Sequence, residues 1–173
     1  MFWIISFPLN EWFSETMPRH QIMQLPAMLV IGIITGAWFA KRIRLDMSWG
    51  ITVFIFIMFS LMFWMLPHSV DMAVINPAFN RLMHLNIFIA GFFFIPGLRG
   101  MILEVRILFL GMIAAMAIAT GYALMVYDIL LCSAFDVVQQ RETGVRLLII
   151  GLALFVFAIF TFFKNIGRVK PGQ

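Results

Sequence analysis

A single cysteine, Cys132, stands in the 173 residues. That count rules out an intramolecular disulfide and every multi-cysteine metal or redox motif, and leaves Cys132 to read as a small apolar residue near a membrane face. Charge is equally scarce. Only 12% of the residues are Asp, Glu, Lys or Arg, about half the roughly 25% usual in a soluble domain, so the chain has too little polar surface to stay in water. The segments that signal nucleotide or haem chemistry are missing too. No phosphate loop, nucleophile triad, c-type haem attachment or helix-borne histidine pair for a bis-axial haem occurs, and no repeat or low-complexity tract divides the chain.

What fills the sequence is hydrocarbon. Sixty-three per cent of residues are hydrophobic, with 20 phenylalanines and 14 methionines, and they are gathered into runs near the ~20 residues that cross a ~30 Å hydrocarbon core. The runs predict an all-α, polytopic transmembrane bundle of about five spans, at 21–40, 47–66, 81–98, 102–131 and 145–163. Pro67 closes the second span and a polar connection follows to Asn80. The fourth run exceeds one bilayer thickness and therefore tilts or projects. Its small residues Gly111, Ala114, Ala115, Ala117, Ala119 and Gly121 permit close helix approach. Residues 1–20 interleave Phe2, Trp3, Phe7, Trp12 and Phe13 with Glu11 and Glu15, a pattern for an interfacial segment or, alternatively, a re-entrant or sixth short span. With no basic n-region, this start does not read as a cleaved signal. Residues 167–173 form a basic tail.

Basic residues give the orientation. Lys41, Arg42, Arg44, Arg99, Arg106, Lys164, Arg168 and Lys170 fall on one face, and Arg19, Arg81, Arg141 and Arg146 on the other. Eight against four predicts a cytoplasmic C-terminus and an outer N-terminus, as an odd number of spans requires. The net charge of +4 is thus a topology and anionic-lipid signal rather than a nucleic-acid one.

His20, His68 and His84 all lie on the predicted outer face, with Asp71, Asp128, Asp136 and Glu142. In the stretch W-M-L-P-H-S-V-D-M-A-V-I-N-P-A-F-N-R-L-M-H-L-N, from Trp64 to Asn86, a helical turn over Ser69–Val74 puts His68 and Asp71 on one face, and antiparallel packing of the second and third spans brings His84 near. Imidazole with carboxylate suits copper(II) or zinc, and Met65, Met72 or Met83 adds thioether donors for copper(I); a carboxylate orienting a ligating imidazole is another arrangement. His68, Asp71 and His84 are accordingly the candidate metal ligands, copper being the candidate ion. The structural alternative is that these groups cap helix ends or pair with Arg81, and that Arg81, His84 and Asn86 belong to an interhelical hydrogen-bond network.

The segment "MLPHSVDMAVINPAFNRLMH" followed by "AGFFFIPGLRG" resembles small bacterial membrane proteins related to the assembly factors of copper-containing cytochrome oxidases. The resemblance covers about a fifth of the chain, Trp64 to Gly97, and lacks the paired-histidine helix motif of the better-known factors, of which only His84 has a counterpart. It implies association with a copper-dependent membrane enzyme, either a terminal oxidase or an ammonia or methane monooxygenase. Together with the one-sided distribution of His and Asp it leads to the expectation of a multi-pass protein of the bacterial inner membrane, not itself catalytic, that serves as accessory subunit or assembly partner of such an enzyme. Its partners are then other transmembrane subunits and lipids. The alternative function is a small oligomeric transporter whose polar groups on the second and third spans line a route.

Overall fold

The computed structural model describes residues 8–43, 45–127 and 131–166. Seven α-helices and no strand occur among them. They are α1 (Asn10–Ser14), α2 (Leu25–Phe39), α3 (Met47–Met65), α4 (Pro67–Ile75), α5 (Pro77–Arg99), α6 (Leu103–Val126) and α7 (Val137–Ile166). Five helical stretches are long and apolar enough to cross a membrane: Arg19–Phe39, Met47–Met65, Pro77–Arg99, Leu103–Val126 and Val137–Asn165. The chain is an all-α, multi-pass helical bundle.

Three connections depart from the sequence reading. The first span opens two residues earlier, as a π-helical segment, Arg19–Gln24, in which the Leu25 amide donates to the His20 carbonyl. Pro26 lies just beyond and has no amide to give Ile22, so the α-register cannot run back unbroken through this turn. The polar connection from Pro67 to Asn80 is helical nearly throughout. Pro67 occupies the first position of α4, where its fixed φ suits a helix start and its missing amide costs nothing, and Asn76 caps α5, its side chain accepting from the amides of Ala78 and Phe79 at 2.9 and 3.3 Å. The fourth span ends at Val126 rather than 131, and the fifth begins at Val137 rather than 145. Asp136 starts it by accepting the Gln139 amide at 2.7 Å, a side-chain cap. Thirty residues make α7 about 45 Å long, so its first turns extend past a ~30 Å hydrocarbon core. Asp128 lies outside the described residues, as do Arg44, Arg168, Lys170 and the aromatic residues Phe2, Trp3 and Phe7.

Helix α5 is central. It packs along α2 on one side and against α3 on the other, while α6 and α7 form a separate antiparallel hairpin. Because α3 lies between them in the chain, α2 and α5 run parallel, and they touch backbone to backbone. A Cβ on Gly32 would strike the Phe88 carbonyl and come within 3.0 Å of the Gly91 Cα; one on Gly36 would strike the Phe92 carbonyl. Pro96 withholds the amide that Phe92 would otherwise bond, which leaves that carbonyl free to meet the Gly36 Cα, a contact of the kind that recurs at close helix crossings. The hairpin has an equivalent crossing where Gly121 faces Gly144 and Gly151 faces Ala114 and Ile118. Of the small residues noted in the fourth span, Ala114, Ala117 and Gly121 are buried there, whereas Gly111 meets nothing within 4 Å.

Candidate functional site

Helices α1 and α4, the π-helical segment and the loop 131–136 gather at one end of the bundle. Asp71 fastens the loop. Its Oδ2 accepts from the Ser133 amide at 2.7 Å and the Ser133 hydroxyl at 2.9 Å, and its Oδ1 from the Ala134 amide at 3.0 Å. Gln140 accepts the Leu131 amide and Gln139 accepts the Met17 amide, so the projecting turns of α7 hold the loop on one side and the chain before the first span on the other. Cys132 is fully buried under this clamp. Burial, and next the negative charge of Asp71, push its thiol up from 9.0 to about 12.

Inside this cap a column of polar side chains descends between the first span and α5. Asn10 Oδ1 accepts from Gln24 Nε2 at 2.9 Å and from Asn80 Nδ2, tying α1 to both helices. With its amide so turned, Gln24 presents Oε1 to His20 Nδ1 at 2.6 Å. A carbonyl only accepts, so Nδ1 carries the proton and Nε2 keeps a bare lone pair. That atom is buried without a partner, as are both amide atoms of Gln21, Asn80 Oδ1 and both ring nitrogens of His84. His20 and His84 are 0% and 1% exposed, well beyond the reach of bulk water. Unpaired buried polar atoms cost about 1–3 kcal/mol each, which makes this the least satisfied region among the described residues.

The positions follow from helical spacing. His20 and Gln24 are one turn apart on the first span, as are Asn80 and His84 on α5, so each pair shares a helix face. Gln24 and Asn80 are level, since they share the Asn10 oxygen. His20 is four residues above that level and His84 four below it, so the two imidazoles stand at opposite ends of the column. The charged residues of this end remain at its rim: Arg19 pairs with Glu15 and lies 4.4 Å from the Trp12 ring centroid. The column itself is neutral, and it can exchange hydrogen bonds with water or a small neutral polar molecule.

The three candidate metal ligands have separate surroundings. His68 is exposed on α4, both carboxylate oxygens of Asp71 are engaged by the loop, and His84 is sealed in the column. Among the described residues no three of His, Cys, Asp and Glu gather closely enough to hold a metal ion. Asn86 stands apart from the column, accepting from Trp64 Nε1 at 2.8 Å. Asn10, Gln21 and Gln24 escaped the sequence reading. Their signal was two glutamines and a histidine within one turn and a half at the mouth of an apolar run, where a lipid-facing helix has no use for amides. No family model, curated protein or solved structure matches the sequence.

Proposed function

We propose that the chain is a non-catalytic accessory subunit or assembly partner of a bacterial inner-membrane copper enzyme, of the terminal oxidase or ammonia and methane monooxygenase type, with its polar cap on the outer face and residue 166 towards the cytoplasm. The observation that carries this reading is that the polar column is closed below. At and beneath the level of His84 the buried side chains include Met28, Ile87, Ala90, Phe54 and Ile57, with the hydroxyl of Ser60 as the buried polar group there among the described residues, and the glycine crossing of α2 and α5 leaves no width for a polar file. A transporter needs a polar route with access to both sides. A bundle without such a route among the described residues is suited to act through its surface.

Copper belongs, in this proposal, to the partner. The donors named from the sequence sit apart, for Asp71 spends its carboxylate on the loop, His68 is exposed on α4 and His84 is buried in the column. The copper enzyme itself enters through the resemblance of the Trp64–Gly97 stretch. Mild solubilisation of the native membrane and affinity purification of this chain should recover it with a copper-containing enzyme, seen as copper in the same native-gel band. Recovery of the chain alone, as a monodisperse copper-free species, overturns the proposal.

A further inference from the structure

At the end opposite the polar column, α5 and the α6–α7 hairpin part. They leave a groove of about 260 Å³, walled by Phe94 and Leu98 of α5, Leu110 and Ile113 of α6 and Phe157 of α7, with Arg106 at its mouth. The walls are hydrocarbon and the mouth carries a permanent charge. Arg106 Nε donates to the Met101 carbonyl at 2.9 Å, which anchors the side chain while its terminal nitrogens find no acceptor among the described residues.

The charges around it are unbalanced. Lys41, Arg99 and Lys164 are exposed at the same end, the first two beside a second cleft of about 570 Å³. The described acids here are Asp46, whose carboxylate caps α3, and Glu104, which two residues' spacing places on a different helix face from Arg106. At the opposite end Arg19 and Arg146 are neutralised by Glu15 and Glu142. Trp38 and Trp49, 83% and 62% exposed, fix the depth, because tryptophan favours the headgroup level. From Arg106 to Ile113 the groove runs about 10 Å along α6, the third of a ~30 Å hydrocarbon core nearest this end.

A cation at headgroup depth over an apolar slot that leads into the bilayer matches an anionic amphiphile. We propose that this groove seats an anionic phospholipid, its phosphate on Arg106 and one acyl chain between α5 and the hairpin. A partner helix would fill the slot but leave the guanidinium without its counter-charge. Free phosphate would satisfy the charge but leave the slot empty.

The test is lipid binding to the delipidated, detergent-solubilised full chain, read by native mass spectrometry with phosphatidylglycerol, phosphatidylcholine of the same acyl chains, and inorganic phosphate. Phosphatidylglycerol should be preferred over phosphatidylcholine by about fivefold or more, the factor one interfacial cation contributes. Arg106→Gln should remove that preference, Arg106→Lys should keep most of it, and Arg141→Gln at the other end should leave it unchanged. Filling the slot with Ile113→Trp should weaken both lipids. Photoactivatable acyl-chain phosphatidylglycerol on the unaltered chain, a readout independent of any variant's folding, should label Leu110 or Phe157. Equal retention of the two lipids, an undiminished preference in Arg106→Gln, displacement of the lipid by inorganic phosphate at equal concentration, or labelling confined to other helices overturns the proposal.

Discussion

Replacing Gly36 by alanine should loosen the bundle, although in an ordinary helix the same change stabilises. The Cβ would press on the Phe92 carbonyl oxygen and lie 2.7 Å from its carbon and 2.9 Å from the Phe92 Cα. Carbon atoms rest at about 3.5–4.0 Å, so α2 and α5 must separate by roughly 1 Å at this point. Both partners are backbone, which cannot turn aside as a side chain would. Overpacking of this kind costs about 1–3 kcal/mol, against a gain of at most about 1 kcal/mol from exchanging glycine for alanine in a helix. Gly111 provides the internal standard. Nothing lies within 4 Å of its absent Cβ, so Gly111→Ala keeps the propensity gain and meets no clash. The propensity gain is common to both, so unfolding the two variants in mixed micelles by titrating a denaturing detergent, followed by tryptophan fluorescence, should place Gly36→Ala about 1–3 kcal/mol below Gly111→Ala. Equal stability of the two would refute a backbone-to-backbone crossing of α2 and α5 at Gly36.

Asp71→Asn retains one acceptor oxygen where the carboxylate used two, so the loop loses part of its clamp. The expected loss is about 1–2 kcal/mol, confined to the cap because Ser133 is exposed and water replaces some of the bonds, and it should appear as faster amide exchange at Ser133 and Ala134. His84→Leu removes two buried, unpaired nitrogens and should raise stability by about 1–2 kcal/mol; a loss of that size would mean that the imidazole is satisfied by a bound molecule. Cys132 should resist maleimide at pH 8 in the folded protein and react readily once unfolded. Its folded pKa near 12 lies above the unfolded 9.0, so its contribution is fully present below pH 9 and is lost as pH climbs towards 12, because the unfolded thiol ionises first. A fall in stability beginning well below pH 9 must come from another group.

Much of the architecture is legible in composition. A run such as the one from Met47 to Met65 has no other low-energy state than a spanning helix, since lipid offers its peptide groups no partners. The ends were less legible, and for a local reason. The residues that close one helix and open the next, Pro67, Asn76 with Pro77, and Asp136, are the polar and conformationally restricted types that also make loops, and a connection of them reads as irregular until each is placed on a cap. The candidate site was only partly visible. His84 was identified, but its companions are on the first span, 60 to 64 positions away, and its level with them depends on how α2 and α5 are staggered. Asp71 looked like a ligand for the same reason that it clamps a loop, namely two free oxygen atoms near a helix start.

Hydropathy acts residue by residue, and so the sequence by itself determined that the chain is helical and that it carries about five runs long and apolar enough to cross a membrane. Which helices touch is a matter of shape. The stagger that brings Gly32 to Gly91 and Gly36 to Phe92, the column from His20 to His84, and the slot beneath Arg106 were decided only by tertiary structure, since in an apolar solvent all faces of an oily helix are nearly equivalent until close packing and a few buried hydrogen bonds choose between them.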